Sequence, residues 1–131
     1  MQTWILAVLA LFVVQTYLPA TIRYLLAGPG TLDRLRVALG PRDEQPPLSP
    51  MGGRAARALA NMQEAMPVFL GLALLHVAKG TAEGLPTTGA MVFFLARVLY
   101  VPSYLSGISG LRSLVWGVSW VGLGMMIAAL R

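Results

Sequence analysis

The chain has 131 residues, of which 56% are hydrophobic and 11% charged, with a mean hydropathy of +0.69. That balance excludes an ordinary soluble domain of this size and points to an integral membrane protein. Ten Lys and Arg against five Asp and Glu leave a net charge of +5, but the arginines sit between apolar runs rather than in a basic cluster with interleaved aromatics, which argues against a nucleic-acid surface.

The first apolar run, Trp4–Leu26, is about 35 Å long as a helix, enough to cross a hydrocarbon core of about 30 Å. No basic segment precedes Trp4, so the run reads as a retained first span and not a removable leader. Gln15 and Thr16 within it are expected to be interhelical hydrogen-bond partners. The connector 27–53 carries Gly28-Pro29-Gly30, Pro41, Pro46-Pro47 and Pro50, which forbid a continuous helix but leave room for a short amphipathic turn at Leu32–Leu39.

Three further apolar segments follow: a second span at Arg54–Val77, a third at Pro86–Tyr104 and a fourth at Leu111–Leu130. The tight connectors Gly80–Leu85 and Ser106–Gly110 make these spans antiparallel neighbours. The predicted architecture is an all-α, up-down-up-down bundle of four transmembrane helices forming a single domain over residues 1–131. Arg23, Arg34, Arg36, Arg42, Arg54 and Arg57 crowd the first connector and its edges. Arg112 marks the third connector, with Arg97 in the span before it, whereas the second has only Lys79. The positive-inside rule then places loop 27–53 in the cytoplasm and both termini outside. Gly117, Gly122 and Gly124 in the fourth span would allow close helix approach. Trp4, Trp116 and Trp120 read as interface anchors and packing groups. Pro102 implies either a kink or the end of the third span.

Two polar stripes interrupt this apolar background. At about 100° per residue, Arg54, Arg57, Asn61 and Glu64 fall within an arc of about 80°, and Arg97, Tyr100 and Tyr104 within about 60°. Charged side chains inside a span cost about 2.5–3.5 kcal/mol each on insertion scales and so face a bundle interior or a wet cavity. An internal Glu64–Arg97 ion pair would explain two of these residues but leaves Arg57, Asn61, Tyr100 and Tyr104 without a role. Arginine forks suit carboxylates, asparagine pairs with peptide amides, and a carboxylate takes up an amino group, so the set fits a small anionic peptide. A phenol or guanidinium beside a substrate thiol would stabilise its thiolate. Glutathione has each of these features, and with no cysteine in the chain any reactive thiol belongs to a substrate.

The pattern Arg54-x-x-Arg57-Ala58-x-x-Asn61-x-x-Glu64-x-x-Pro67, followed by Arg97-x-x-Tyr100-x-x-x-Tyr104 and Arg112-Ser113, resembles the MAPEG family, the membrane-associated proteins of eicosanoid and glutathione metabolism. Gly40-Pro41-Arg42-Asp43 and the proline-rich approach to the second span resemble its bacterial branch. The resemblance implies a homotrimer in the bacterial inner membrane that binds glutathione as co-substrate between subunits, open to the cytoplasm, and acts on a lipophilic small molecule. It assigns glutathione binding to Arg54, Arg57, Asn61, Glu64, Arg97, Tyr100 and Tyr104, and thiolate stabilisation to Arg112 with Tyr104. Ala65 and Leu59 depart from the pattern, standing where relatives carry an aromatic residue and a polar glutathione contact.

Two other function classes compete with a glutathione transferase or peroxidase. A small multidrug transporter would also have four spans, but its proton-exchanging carboxylate would have to be Glu64, which is set among arginines that repel cationic drugs. A non-catalytic trimeric scaffold or lipid-binding protein would use the same stripe only to hold subunits together. His76 lies about 18 Å along the helix from Glu64 and is expected at the outer interface. With a single histidine and scattered acids, no metal site is expected.

Overall fold

The computed structural model describes residues 1–26, 31–41 and 47–131. Gly28-Pro29-Gly30, Arg42, Asp43 and Pro46 of the first connector lie outside the described residues. The elements are α1 (Gln2–Thr21), continued by a π turn at Ile22–Leu26, then α2 (Thr31–Leu39), α3 (Pro50–Ala78), α4 (Leu85–Ser106) and α5 (Ser109–Ala128). Four of these helices, α1 with its π turn, α3, α4 and α5, are long and apolar enough to cross a membrane. The expected four-span, all-helical bundle is therefore the observed one, and α2 is the amphipathic turn expected between the first two spans.

The second span starts four residues earlier than its apolar run, and local chemistry explains why. Ser49 is the N-cap, its hydroxyl accepting from the Gly52 amide at 3.1 Å, and Pro50 opens the helix where a missing N–H costs nothing. This extra turn lifts Arg54 clear of the helix start. Helix α4 runs on through Pro102 to Ser106, so the proline neither ends the span nor its polar stripe.

Inside the bundle, Phe69 of α3 stacks on Phe93 of α4 with ring centroids 4.7 Å apart. Val8 of α1 and Leu123 and Met126 of α5 close around that pair. Since lipid tails are as apolar as these side chains, close packing rather than exclusion of water must hold the spans together. The closest packing is between α4 and α5, where Gly89 faces Gly122. A Cβ at either glycine would lie 2.6 Å from the other's carbonyl oxygen. Gly117 and Gly124, also expected at close contacts, face open space; the decisive partner, Gly89, lies in the neighbouring span. Gly122→Ala should force the two helices apart and cost about 1–3 kcal/mol, lowering the thermal midpoint in detergent, whereas Gly124→Ala should leave it unchanged. Equal midpoints for the two variants would contradict this account.

Three polar residues outside the stripes differ in how their polar atoms are satisfied. His76, in the last turn of α3, is fully buried. Its Nε2 donates to the Met126 carbonyl at 2.8 Å while Nδ1 pairs with the Thr81 hydroxyl at 2.9 Å, tying the end of α3 to the end of α5. The Thr16 hydroxyl donates to Phe12 of its own helix, because a threonine can satisfy its hydroxyl one turn back without any neighbour. Gln15 does face the bundle, buried, but its Oε1 has no hydrogen-bond partner.

Candidate functional site

The two polar stripes meet at the end of the bundle where α3 begins and α4 ends. Helix α3 supplies Arg54, Arg57 and Asn61, α4 supplies Ser103 and Tyr104 with Tyr100 one turn earlier, and Arg112 projects from the first turn of α5. Tyr104 is the centre of the arrangement. The Arg112 guanidinium lies 5.0 Å from its ring centroid and that of Arg57 6.0 Å, within range for cation–π attraction. Tyr100 meets the same ring edge to face at 5.4 Å. Aromatic packing thus brings cations from two other helices to one phenol.

Tyr104 and Arg112 also form the wall shared by two cavities. The smaller, of about 100 Å³, is lined by Arg54, Arg57 and Arg112 with Ser103 and Gly107. The larger, of about 310 Å³, is lined by Asn61, Tyr100, Ser113 and Trp116. Three guanidiniums border the first cavity and, among the described residues, no carboxylate does, so its field favours an anionic group. The second offers an amide, two phenols and a tryptophan face, a surface suited to a peptide or a flat apolar group.

Arg97 and Glu64 do not meet. Arg97 is buried, and its Nη1 donates to Asn61 Oδ1 at 2.6 Å, while Nε and Nη2 have no hydrogen-bond partner. Its guanidinium lies 5.2 Å from the Phe93 ring centroid and 5.5 Å from that of Tyr100. The pairing has a chemical consequence. Because a guanidinium can only donate, Asn61 must turn its oxygen toward Arg97, which leaves its amide nitrogen for the larger cavity. Glu64 lies exposed midway along α3 and lines neither cavity. An 80° stripe is wide enough to straddle the boundary between bundle interior and exterior, and it places Asn61 inward and Glu64 outward.

The whole chain, residues 1–131, matches the model of the MAPEG family. This chain belongs to the MAPEG family. No curated protein and no solved structure gives a significant match. Membership makes the four apolar helices those of a membrane-associated protein, in a family that includes glutathione transferases and peroxidases as well as non-catalytic members. In this MAPEG protein the sequence patterns overlook Ser103, Gly107 and Trp116 as lining residues. Ser103 sits well off the arc of Tyr100 and Tyr104, and its hydroxyl is turned back to the Leu99 carbonyl at 2.7 Å. Gly107 does carry a signal, as the glycine that ends a helix in a left-handed conformation.

Proposed function

We propose that this MAPEG protein is a glutathione-dependent membrane transferase or peroxidase acting on lipophilic electrophiles. The observation that carries the reading is the convergence of Arg57 and Arg112 on Tyr104, at the wall between a cavity bordered by three arginines and a cavity lined by an amide and phenols. Arg57, Asn61 and Tyr100 hold the peptide and its carboxylates, Arg97 acts by orienting Asn61, and Glu64 receives the amino group. Arg112, with Tyr104, stabilises the glutathione thiolate. The thiol proton leaves to solvent, and the sulfur attacks either a carbon, displacing a leaving group or opening a ring, or the terminal oxygen of a hydroperoxide. There the S–O bond forms as the O–O bond breaks, the alkoxide takes a proton from solvent to leave as an alcohol, and the resulting sulfenic acid reacts with a second glutathione to give the disulfide and water.

The exposed position of Glu64 supports assembly as a homotrimer with the site between subunits. A carboxylate midway along a span is expensive against lipid, and a neighbouring subunit with bound ligand removes that cost. The arginine-rich end then faces the cytoplasm, where glutathione is supplied. Glutathione titration of the purified protein, followed by absorbance at thiolate wavelengths, tests the reading. Saturable binding with a thiolate signal at neutral pH supports it, and absence of both binding and turnover of any electrophile ends it.

A non-catalytic trimeric scaffold is the second reading, favoured by one observation: Arg97 and Arg54 of the stripes are spent on internal bonds, to Asn61 and to the Leu105 carbonyl. Arg57→Ala separates the two. A ligand site predicts that glutathione binding is lost while the trimer persists in size-exclusion chromatography; a scaffold predicts that the trimer falls apart with or without glutathione.

A further inference from the structure

Arg54 differs from the other two guanidiniums around the small cavity. Its Nη1 donates to the backbone carbonyl of Leu105 at 2.9 Å, linking the second turn of α3 to the last turn of α4. That carbonyl belongs to the group at a helix C-terminus that has no partner within its own helix, where a positive charge is also favoured by the helix dipole. The guanidinium then lies flat against Gly107, the next residue but one. A Cβ there would fall 2.7 Å from Nη2 and 2.8 Å from Cζ of Arg54, and the backbone has a φ of +80°.

The position of this contact gives it reach. Only Gly107 and Ile108 separate α4 from α5, and the Arg112 amide makes its bond back to the Ile108 carbonyl at 3.2 Å. Whatever holds Leu105 and Gly107 therefore sets where α5 begins, and so the direction from which Arg112 reaches Tyr104. We propose that Arg54 is a positioning residue for Arg112, acting through the α4–α5 turn, with Gly107 as its bare seat. Arg54 accordingly leaves the set of glutathione contacts. Glycine is needed at 107 for two separate reasons, the left-handed backbone and the space that the guanidinium fills.

The proposal rests on the glutathione reading for one arm of its test and not for the other. In the ligand-free, full-length protein, Arg54→Gln and Gly107→Ala should each speed amide hydrogen exchange across residues 105–110 by about tenfold, as expected for loss of a charge-assisted bond at an exposed turn. Arg54→Lys keeps a donor for the Leu105 carbonyl and should restore protection to within about threefold of the wild type. Unchanged exchange in Arg54→Gln would overturn the proposal. With glutathione bound, Arg54→Gln should move the thiolate titration up by about one pH unit while the glutathione dissociation constant changes by less than about threefold, because Arg112 is displaced and not removed. Loss of glutathione affinity with normal exchange would instead make Arg54 a ligand contact and sink the idea. If the wild type binds no glutathione, the functional reading falls, and the exchange result alone decides for or against the positioning role.

Discussion

Arg112→Ala should lower glutathione turnover at pH 7 by about thirtyfold, and the loss should shrink toward nothing above about pH 9. The size follows from the thiol. With an unperturbed pKa of about 8.5, only about 3% of a free thiol is ionised at pH 7, so a group whose role is to complete that ionisation gains at most the inverse of that fraction. The sign follows as well. A guanidinium near the sulfur favours the thiolate and lowers the thiol pKa, so its benefit is present between the lowered and the ordinary value and vanishes once the free thiol ionises unaided. A pH profile of kcat in wild type and variant reads this directly. A loss of a thousandfold that persisted at pH 9.5 would assign Arg112 to the electrophile or leaving group rather than to the thiolate, because oxyanion donors carry losses of about 10²–10³ that thiol ionisation does not relieve. Tyr104→Phe separates the ring from the hydroxyl. If the phenol's main task is to hold Arg57 and Arg112 by its face, as the 6.0 Å and 5.0 Å approaches suggest, most of the activity should remain. A fall as deep as that of Arg112→Ala would make the hydroxyl the thiol's partner.

The sequence read well where local rules act and poorly where helices meet. Span positions, the amphipathic α2 and the residues converging at one end of the bundle all follow from hydropathy, proline placement and helical periodicity, because each depends on a few residues in a row. The Ser49-Pro50 start of α3 is a local signal too, a capping hydroxyl followed by a proline at the first helical position. Three features depend instead on which faces touch. Gly122 and Gly124 look alike in sequence, yet only Gly122 has a backbone against it, since the partner glycine lies 33 positions upstream in another helix. Arg54 finds a main-chain carbonyl, an acceptor that every residue carries and no pattern marks. Arg97 bonds Asn61 and not Glu64 because periodicity gives the angle between two residues on one helix but not the rotation of that helix against its neighbour. Formal charge favoured the carboxylate; burial favoured the amide.

That choice of partner sets the second large effect. Asn61→Ala should destabilise the protein by about 3 kcal/mol, because it removes the one hydrogen bond of a guanidinium that is 1% exposed and whose Nε and Nη2 are already without partners. The remaining support, the π faces of Phe93 and Tyr100, is worth about 0.5–2 kcal/mol and does not replace it. Arg97→Met should cost much less. It removes the buried charge together with its desolvation penalty, fills a similar volume with a flexible apolar chain, and leaves only the half-buried Asn61 amide to find a new partner. The double variant Asn61→Ala/Arg97→Met should therefore be more stable than Asn61→Ala alone, a non-additivity that thermal unfolding in detergent measures as a coupling energy. Activity should run the other way. Arg97→Met frees Asn61 to turn its oxygen toward the larger cavity and should weaken glutathione binding despite near-normal stability, whereas a purely structural Arg97 would lose stability and binding together. Should Asn61→Ala melt with the wild type, the guanidinium must have an escape route to water, and the buried arrangement of Arg97 would no longer account for the inward half of the stripe.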